Sequence, residues 1–177
     1  MPAGSILGIL SDTHGRTALA RRAFDIFLQQ KVDYFVHCGD IGDYSYDPVP
    51  VLETLLPIPG AVVFGNNDFD QGRIKDFANQ HQMLCLEAAG TFEMAGKTIS
   101  VTHGDSRRLI ESVLTASPGV HYLLTGHTHQ KHDQLVSVGE KTVRRINPGA
   151  LFRTPRPSVA VLDLINDRLS FFHLGSA

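Results

Sequence analysis

The 177-residue chain has no tryptophan and only two cysteines, and it lacks a long hydrophobic run. Cys38 and Cys85 lie on separate apolar stretches without a CxxC spacing, which excludes a disulfide framework and predicts buried thiols in a reducing compartment. No stretch approaches the roughly 20 apolar residues of a membrane-spanning helix. The first fifteen residues have no basic segment before their short apolar run, so they predict a strand and not a signal peptide. We therefore expect a cytoplasmic protein without a membrane partner.

The chain also has no large excess of positive or negative charge. It has 16 Lys and Arg residues and 18 Asp and Glu residues, which gives a formal net charge of −2. Such a chain lacks the basic field that is typical of nucleic-acid-binding proteins. Hydrophobic residues make up 42% of the chain and charged residues 19%, which excludes a disordered or collagen-like protein. The length and the even composition predict one domain over residues 1–177.

Short apolar runs alternate with helical patterns in the first half of the chain. The runs are typical of buried parallel strands, and the apolar spacing between them is typical of helices packed on a sheet. This reading predicts strands at 5–10, 33–38 and 61–64, and helices at 20–28 and 51–56.

The second half predicts further strands and one helix. An Ala-Gly pair between two apolar runs indicates a hairpin. The predicted strands are 91–94, 97–102, 120–125, 134–138, 142–146, 159–164 and 169–172, and the predicted helix is 106–116. The whole pattern is that of a mixed α/β sandwich.

Five of the predicted strands end in residues that can bind a metal ion. These residues are Asp12 and His14, Asp40, Asn66, His103, and His127 and His129. Sites assemble at the carboxyl ends of strands in open α/β folds, and imidazole, carboxylate and amide oxygen all suit divalent transition ions. A glycine directly precedes Asp40, Asn66 and His127, which allows a sharp turn of the backbone. The pattern predicts a metal site.

These residues lie in five motifs: Asp12-Thr13-His14, Gly39-Asp40, Gly65-Asn66-Asn67-Asp68, Thr102-His103-Gly104-Asp105 and Gly126-His127-Thr128-His129. In this order the motifs resemble those of the calcineurin-like metallophosphoesterases. The resemblance runs from about Ile6 to Ala150. The chain length and the stretch 146–150 are most similar to the small prokaryotic phosphodiesterase branch. The resemblance implies an α/β fold that is a two-sheet mixed β-sandwich flanked by helices.

The same resemblance implies two divalent ions and assigns their ligands. One ion would be held by Asp12, His14, Asp40 and His129. The second would be held by Asp40, Asn66, His103 and His127, so that Asp40 is the bridge. Manganese is the expected ion, and iron, zinc, nickel and cobalt fit the same ligands.

Charge counting shows what such a centre can do. Two divalent ions supply +4 and ionised Asp12 and Asp40 contribute −2, so the centre keeps roughly +2 for a phosphate and a bridging hydroxide. Two ions can lower the pKa of a bridging water and stabilise the charge that develops on phosphorus. We therefore expect a metal-dependent phosphodiesterase that hydrolyses a small phosphodiester substrate by means of a metal-bridging hydroxide.

Asn67 departs from the family pattern, because many members have a histidine at this position that is implied to protonate the leaving oxygen. Asparagine cannot act as a general acid, an effect worth about 10² to 10⁴ in rate. We expect Asn67 to contact the phosphate as a hydrogen-bond donor and acidic, aryl-like leaving groups to be favoured. Asp68 is the alternative acid.

Other interpretations remain open at this stage. A phosphomonoesterase acting on a small metabolite is one, and a catalytically weak metal-binding scaffold for protein interaction is another. The acidic balance and the absence of a basic, aromatic-rich track argue against an exonuclease. Tyr44 and Tyr46 are either a wall for an aryl leaving group or surface aromatics. His37 is either a core histidine or a support of the metal site, and the oligomeric state, a homo-oligomer included, stays open.

Overall fold

The computed structural model describes residue 2 and residues 4–116 and 119–175. The strands are β1 (Ile6–Leu10), β2 (Tyr34–His37), β3 (Gly60–Val62), β4 (Leu84–Cys85), β5 (Ala89–Met94), β6 (Lys97–Thr102), β7 (Val120–Leu124), β8 (Lys131–Val138), β9 (Lys141–Pro148), β10 (Ser158–Asp163) and β11 (Arg168–His173). The helices are α1 (Thr17–Gln29), α2 (Val49–Leu55), α3 (Gln71–Gln80) and α4 (Arg107–Ala116). The predicted elements are confirmed within a few residues. Helix α3 and the short strand β4 were not predicted.

The strands form two mixed sheets. The first has the order β11-β10-β1-β2-β3-β4, and the second has the order β5-β6-β7-β9-β8. Strands β1, β2, β3 and β4 run parallel, as do β6, β7 and β9, whereas the outer pairs are antiparallel. Parallel neighbours end at the same edge of their sheet, so each sheet gathers several strand ends.

The core between the sheets follows from the alternation of side chains along each strand. Ile9, Val36 and Ala61 of the first sheet belong to one buried cluster with Ile99 and Leu124 of the second sheet. Because successive residues of a strand point to opposite faces, their neighbours lie on the outside of each sheet. The two sheets therefore pack as a sandwich, which confirms the expected fold.

Helices cover the outer faces. Phe27 of α1, Leu52 of α2 and Ile74 of α3 form a second buried cluster with Phe35 and Val62 of the first sheet. On the second sheet, a smaller cluster joins α4 to β7 and β9. No helix in the described ranges is long and apolar enough to span a membrane.

Candidate metal centre

The topology brings the predicted metal-binding residues to one edge of the sandwich. Asp12 and His14 follow β1, Asp40 follows β2 and Asn66 follows β3, and these three strands are parallel neighbours. The remaining residues, His103, His127 and His129, follow the parallel neighbours β6 and β7 of the second sheet. The seven residues therefore come from five strand ends in two sheets.

The backbone is strained at these strand ends. Asp12, His14, Asp40, His127 and His129 all have a positive φ, between 46° and 66°, in the left-handed region that side chains other than glycine rarely adopt. Hydrogen bonds between the loops hold this conformation, including Asp12 N–H to the Gly39 carbonyl and His14 N–H to the Asp40 carbonyl, each 3.0 Å. Strain held in this way is concentrated at functional sites.

Two glycines allow the loops to approach each other. Gly39 has a φ of +91°, and a Cβ at Gly65 would lie 2.2 Å from Oδ1 of Asp40. No side chain fits at Gly65 without moving Asp40. The glycine that precedes Asn66 is thus required by the close approach of the loop that follows β2.

Asp12, His14 and His129 form the first group that could hold a metal ion, with one ligand atom from each residue within 4.8 Å of the others. Nε2 of His129 lies 3.2 Å from Oδ1 of Asp12. Oδ1 of Asp12 and both ring nitrogens of His14 are buried without a hydrogen-bond partner among the described residues. Buried polar atoms normally have a partner, so these unpaired atoms fit a metal ion.

Asp12, Asp40 and His103 form the second group. Nδ1 of His103 donates to the Cys38 carbonyl at 2.8 Å, because a carbonyl oxygen can only accept. Nε2 lies 3.4 Å from Oδ2 of Asp40 and 3.2 Å from Oδ1 of Asn66, and it would bind a metal ion once it gives up its proton. Histidine ligands of metal ions typically donate the N–H of their other ring nitrogen to a carbonyl or carboxylate oxygen, as His103 does here.

The other predicted residues lie at the edge of these groups. Nε2 of His14 is 3.6 Å from Oδ2 of Asp40, which joins the two groups. The exposed His127 ring packs edge-on against the His103 ring, with 5.1 Å between the centroids. The backbone N–H of His127 donates to Oδ2 of Asp12 at 3.2 Å. All seven predicted residues therefore lie in one cluster around Asp12 and Asp40.

The charges in the cluster shift several pKa values. Burial acts to raise the pKa of Asp40, but the hydrogen bond and charge of His103, together with hydrogen bonds from Asn67, hold this pKa well below its usual range. Burial acts to lower the pKa of His103, and the Asp40 carboxylate raises it to about 9. Burial lowers the pKa of His14 against the opposite effects of Asp40 and Asp12, and the nearby Arg153 adds to the lowering.

Asn67 contacts a carboxylate in the structure. Its backbone N–H donates to Oδ1 of Asp40 and its side-chain amide donates to Oδ2, both at 2.8 Å. An amide group has two N–H bonds, so one remains for another acceptor. The contact with Asp40 was not foreseen from the sequence, where Asn67 was considered only in relation to the phosphate.

Asp68 lies beneath the centre. It is 3% exposed, and its two carboxylate oxygens accept from the backbone N–H of Gly42 and of Gly65, at 2.9 and 2.7 Å. Burial raises the pKa of Asp68 to about 6. These hydrogen bonds tie the loop after β2 to the loop after β3, and they occupy both oxygens of the residue considered as an alternative acid.

Two further polar residues support the ligand loops. His37 is fully buried, with Nε2 2.9 Å from Oγ1 of Thr13, which lies between the first two predicted ligands. Asn147 is 2% exposed and its amide donates to the Gly126 carbonyl at 2.6 Å and to Oγ1 of Thr128 at 3.1 Å. Sequence reasoning missed the role of Asn147, although its Asn-Pro-Gly stretch was part of the resemblance.

Aromatic residues line an open cleft that includes Asp43, whose Oδ2 lies 3.7 Å from Nδ1 of His14. Tyr44, 88% exposed, packs edge-on against the exposed Phe69, with 6.1 Å between the ring centroids. The cleft has a volume of about 440 Å³ and is also lined by Tyr46 and Arg73. The exposure leaves Tyr44 free to contact a ligand.

A two-sheet sandwich whose strand ends gather carboxylates, imidazoles and an amide around unpaired buried atoms is typical of metal-dependent hydrolases. Residues 6–167 match the calcineurin-like phosphoesterase superfamily domain, and the chain belongs to this superfamily. It is thus a metal-dependent phosphoester hydrolase by class. The match confirms the family and the enzyme class that the five motifs implied.

Known proteins of this superfamily resemble the chain over most of its length. Phosphodiesterase MJ0936 of Methanocaldococcus jannaschii is 27% identical over 161 residues, 89% of this chain and 92% of that protein. The structure of an archaeal phosphodiesterase matches with a TM-score of 0.79 at 23% identity, covering 95% of this chain and 99% of that one. The Escherichia coli phosphoesterase Yfce matches with a TM-score of 0.61 at 19% identity, covering 96% and 100%. The structural matches show a shared fold.

Proposed function

We propose that residues 1–177 are a single domain that hydrolyses small phosphodiesters with two divalent metal ions. The observation on which this rests is the pair of buried carboxylates, Asp12 and Asp40, surrounded by imidazoles whose ring nitrogens face them. Two buried carboxylates less than 4.8 Å from shared histidine nitrogens need cations to neutralise them.

We allot the ligands as the family resemblance implies; the two groups in the structure share Asp12 and do not by themselves fix this allotment. The first ion takes Asp12, His14, Asp40 and His129, and the second takes Asp40, Asn66, His103 and His127. Asp40 is the proposed bridge because its Oδ2 lies between Nε2 of His14, at 3.6 Å, and Nε2 of His103, at 3.4 Å. Manganese is the proposed ion, and its identity is decided by availability as much as by these ligands.

When bound, the ions supply Lewis-acid chemistry: activation of a water for attack on phosphorus and neutralisation of charge on the phosphoryl oxygens. The protein residues orient the reactants. The Cys38 carbonyl fixes the tautomer and the ring plane of His103, and Asn67 holds both oxygens of Asp40. The second N–H of the Asn67 amide is the proposed contact to a phosphoryl oxygen.

A diester is favoured over a monoester for two reasons. Asn67 has no proton to offer a poor leaving group, and Asp68 is buried beneath the centre, so an ester with an acidic leaving group is the better substrate. MJ0936, which resembles this chain over most of its length, is named a phosphodiesterase. A monoesterase acting on a small metabolite is the second candidate.

The test is hydrolysis of bis(p-nitrophenyl) phosphate beside p-nitrophenyl phosphate, after chelation and after separate return of Mn²⁺, Ni²⁺ or Zn²⁺. We expect metal-dependent cleavage that prefers the diester, with Mn²⁺ the most effective ion. Preference for the monoester would support the second candidate. A folded protein without activity on either ester would indicate a scaffold instead of an enzyme.

The cellular setting follows from the same proposal. We propose a cytoplasmic enzyme, because Cys38 and Cys85 are free thiols, as a reducing compartment keeps them. The proposed substrate is a small molecule and not a nucleic acid, in view of the formal net charge of −2. Size-exclusion chromatography with light scattering decides between a monomer and a homo-oligomer.

A further inference from the structure

Two arginines share one aromatic ring beside the first ligand group. Cζ of Arg16 lies 4.1 Å and Cζ of Arg153 lies 5.7 Å from the centroid of the Phe152 ring. Arg16 also lies 4.2 Å from the centroid of the Tyr46 ring, so its guanidinium contacts two aromatic faces. Such cation–π contacts hold a guanidinium in place without neutralising its charge.

The ring that holds the arginines is attached to the candidate metal centre. Phe152 packs edge-on against the His14 ring, with 5.8 Å between the centroids. The backbone N–H of Phe152 donates to the Asp12 carbonyl at 3.0 Å, and the Arg153 carbonyl accepts from Nδ1 of His129 at 3.4 Å. The Phe152 ring and the backbone of Phe152 and Arg153 therefore border the first ligand group, and the two guanidinium groups lie against this ring.

Neither guanidinium has an anionic partner within residues 4–116 and 119–175. No hydrogen bond or ion pair joins either side chain to a described residue, and Nε of Arg16 is buried without a partner. By contrast, Arg73, Arg107 and Arg144 each lie against a carboxylate, at 2.7, 2.9 and 2.8 Å. Both guanidinium groups lie against the same ring, and an anion that contacts both would neutralise their charge.

The chemistry of the pair selects the ligand. Guanidinium groups bind the oxygens of phosphate and carboxylate in a bidentate manner. On the proposed function, the charge of roughly +2 at the metal centre is already matched by a singly charged phosphodiester and a hydroxide. The two arginines are then left for a different anionic group of the same substrate.

We propose that Arg16 and Arg153 form an anion subsite beside the metal centre, which binds a second anionic group, phosphate or carboxylate, on one ester arm of the phosphodiester substrate. This inference rests on the proposed function for the position of the scissile phosphate. It names a substrate class, diesters with a charged arm, and assigns specificity to two residues that lie outside the five motifs.

The first test compares two diesters that release the same p-nitrophenolate. Bis(p-nitrophenyl) phosphate has an uncharged second arm, and 4-carboxyphenyl p-nitrophenyl phosphate has a carboxylate on it. In the metal-loaded enzyme, we expect Arg16→Gln and Arg153→Gln each to raise KM about tenfold for the carboxylated diester, the loss of one charge-assisted hydrogen bond. In the same variants, KM for the uncharged diester should change less than about twofold. Arg156→Gln, an exposed arginine of the same loop, is the matched control.

The second test does not depend on hydrolysis. The thermal unfolding midpoint of the chelated protein is measured with increasing inorganic phosphate. We expect phosphate to raise the midpoint of the wild type and of Arg156→Gln, and to leave Arg16→Gln and Arg153→Gln unchanged. If neither diester is hydrolysed but this pattern appears, the proposed function fails while the anion subsite stands.

Other outcomes overturn the inference. Equal increases of KM for both diesters would assign the arginines to the scissile phosphate. Unchanged KM values together with an unchanged response to phosphate would show that the arginines only support the loop. Because Arg153 is exposed, Arg153→Gln keeps both tests decisive even if Arg16→Gln does not fold.

Discussion

At the scale of single residues, Asp40 lies near histidines of both candidate metal-binding groups. Its Oδ2 is near both His14 and His103, and Asn67 donates to each of its oxygens. We expect Asp40→Asn to lower activity by about 10² or more, because a bridging carboxylate serves both ions. The measurement is hydrolysis of bis(p-nitrophenyl) phosphate together with bound metal per chain.

Asp47→Asn, in the same loop and paired with Arg73, is the control for the loss of a carboxylate. It should retain activity and metal content. Undiminished activity of Asp40→Asn with two bound ions would contradict the assignment of the bridge.

The asparagine at position 67 should determine how the rate of hydrolysis depends on the leaving group. Because its amide cannot donate a proton to an alkoxide, we expect the wild-type rate to fall steeply as the pKa of the leaving group rises. Asn67→His should flatten this dependence and raise the rate on poor leaving groups, by about 10² where the acid is fully effective. The measurement is a series of aryl diesters of increasing leaving-group pKa. A flat dependence in the wild type would show that another group supplies the proton.

The buried His37 should make the folded protein less stable in acid. Burial lowers its pKa from an ordinary 6.5 to about 3, against the raising effect of Asp12. Between these two values the unfolded chain binds a proton that the folded protein does not. The free energy of unfolding is therefore unaffected by His37 protonation above pH 6.5. It decreases by about 1.4 kcal/mol per pH unit as the pH falls from 6.5 toward 3.

The experiment is urea unfolding of the chelated protein from pH 7 to pH 4, for the wild type and for His37→Gln. The free energy of unfolding of the variant should fall less steeply with decreasing pH. The difference in slope should correspond to about one proton fewer taken up on unfolding. The slope, and not the absolute stability, is compared, so a general destabilisation of the variant does not affect the result. Equal slopes would show that His37 is protonated in the folded protein.

At the scale of elements, the loops that follow the strands depend on residues without a side chain. A Cβ at Gly65 would meet Asp40 at 2.2 Å, whereas a Cβ at Gly72 within α3 would have only Asp70 near it, at 3.9 Å. We expect Gly65→Ala to displace Asp40 and to lower metal binding and activity at least about tenfold. Gly72→Ala should keep activity and raise stability by about 0.5–1 kcal/mol.

The two substitutions make the same chemical change, so they separate the effect of position from the effect of alanine. Titration calorimetry with Mn²⁺ and thermal unfolding of both variants are the measurements. Equal metal affinity of the two variants would show that the loop after β3 adapts to a side chain.

Helix α3 shows which signals the sequence analysis left unused. The side chain of Asp70 accepts from the backbone N–H of Arg73 at 3.1 Å, and Ile74, Phe77 and Ala78 are buried. An N-cap aspartate followed by apolar residues at helical spacing predicts a helix. This helix was therefore predictable, whereas the two-residue strand β4 is too short for a periodic signal.

At the scale of the whole molecule, the candidate centre joins the two sheets. Asp12 and Asp40 follow strands of the first sheet, and His103 and His129 follow strands of the second. An ion that binds between them binds the folded chain and not the unfolded chain. It therefore raises the free energy of unfolding by about 2.7 kcal/mol at a free concentration of 100 times its Kd. For a chain of this size that corresponds to about 5–10 °C in Tm for each ion.

We therefore expect chelation to lower Tm by this amount and Mn²⁺ to restore it. Asp40→Asn, which lacks the proposed bridge, should respond to Mn²⁺ by less than half as much. Differential scanning calorimetry on both proteins, each with and without chelator, makes the comparison. A Tm that chelation does not change would mean that the sheets pack without help from an ion.

Sequence patterns were enough to predict the described strands other than β4, the order of the motifs and the family. These properties are local, because apolar runs specify strands and a glycine before Asp40, Asn66 or His127 specifies a turn. The seven candidate ligands could be named for the same reason. Each lies in the loop that follows a strand, and parallel strands end at one edge of a sheet.

Tertiary structure alone decided which atoms face each other. The hydrogen bonds from Asn67 to Asp40 join residues 27 positions apart, and the contact of Arg16 with Phe152 joins the two ends of the chain. Neither is encoded in local periodicity, since both depend on how the strands pair and how the loops fold over their ends. Periodicity predicts which elements form, and packing decides which side chains meet.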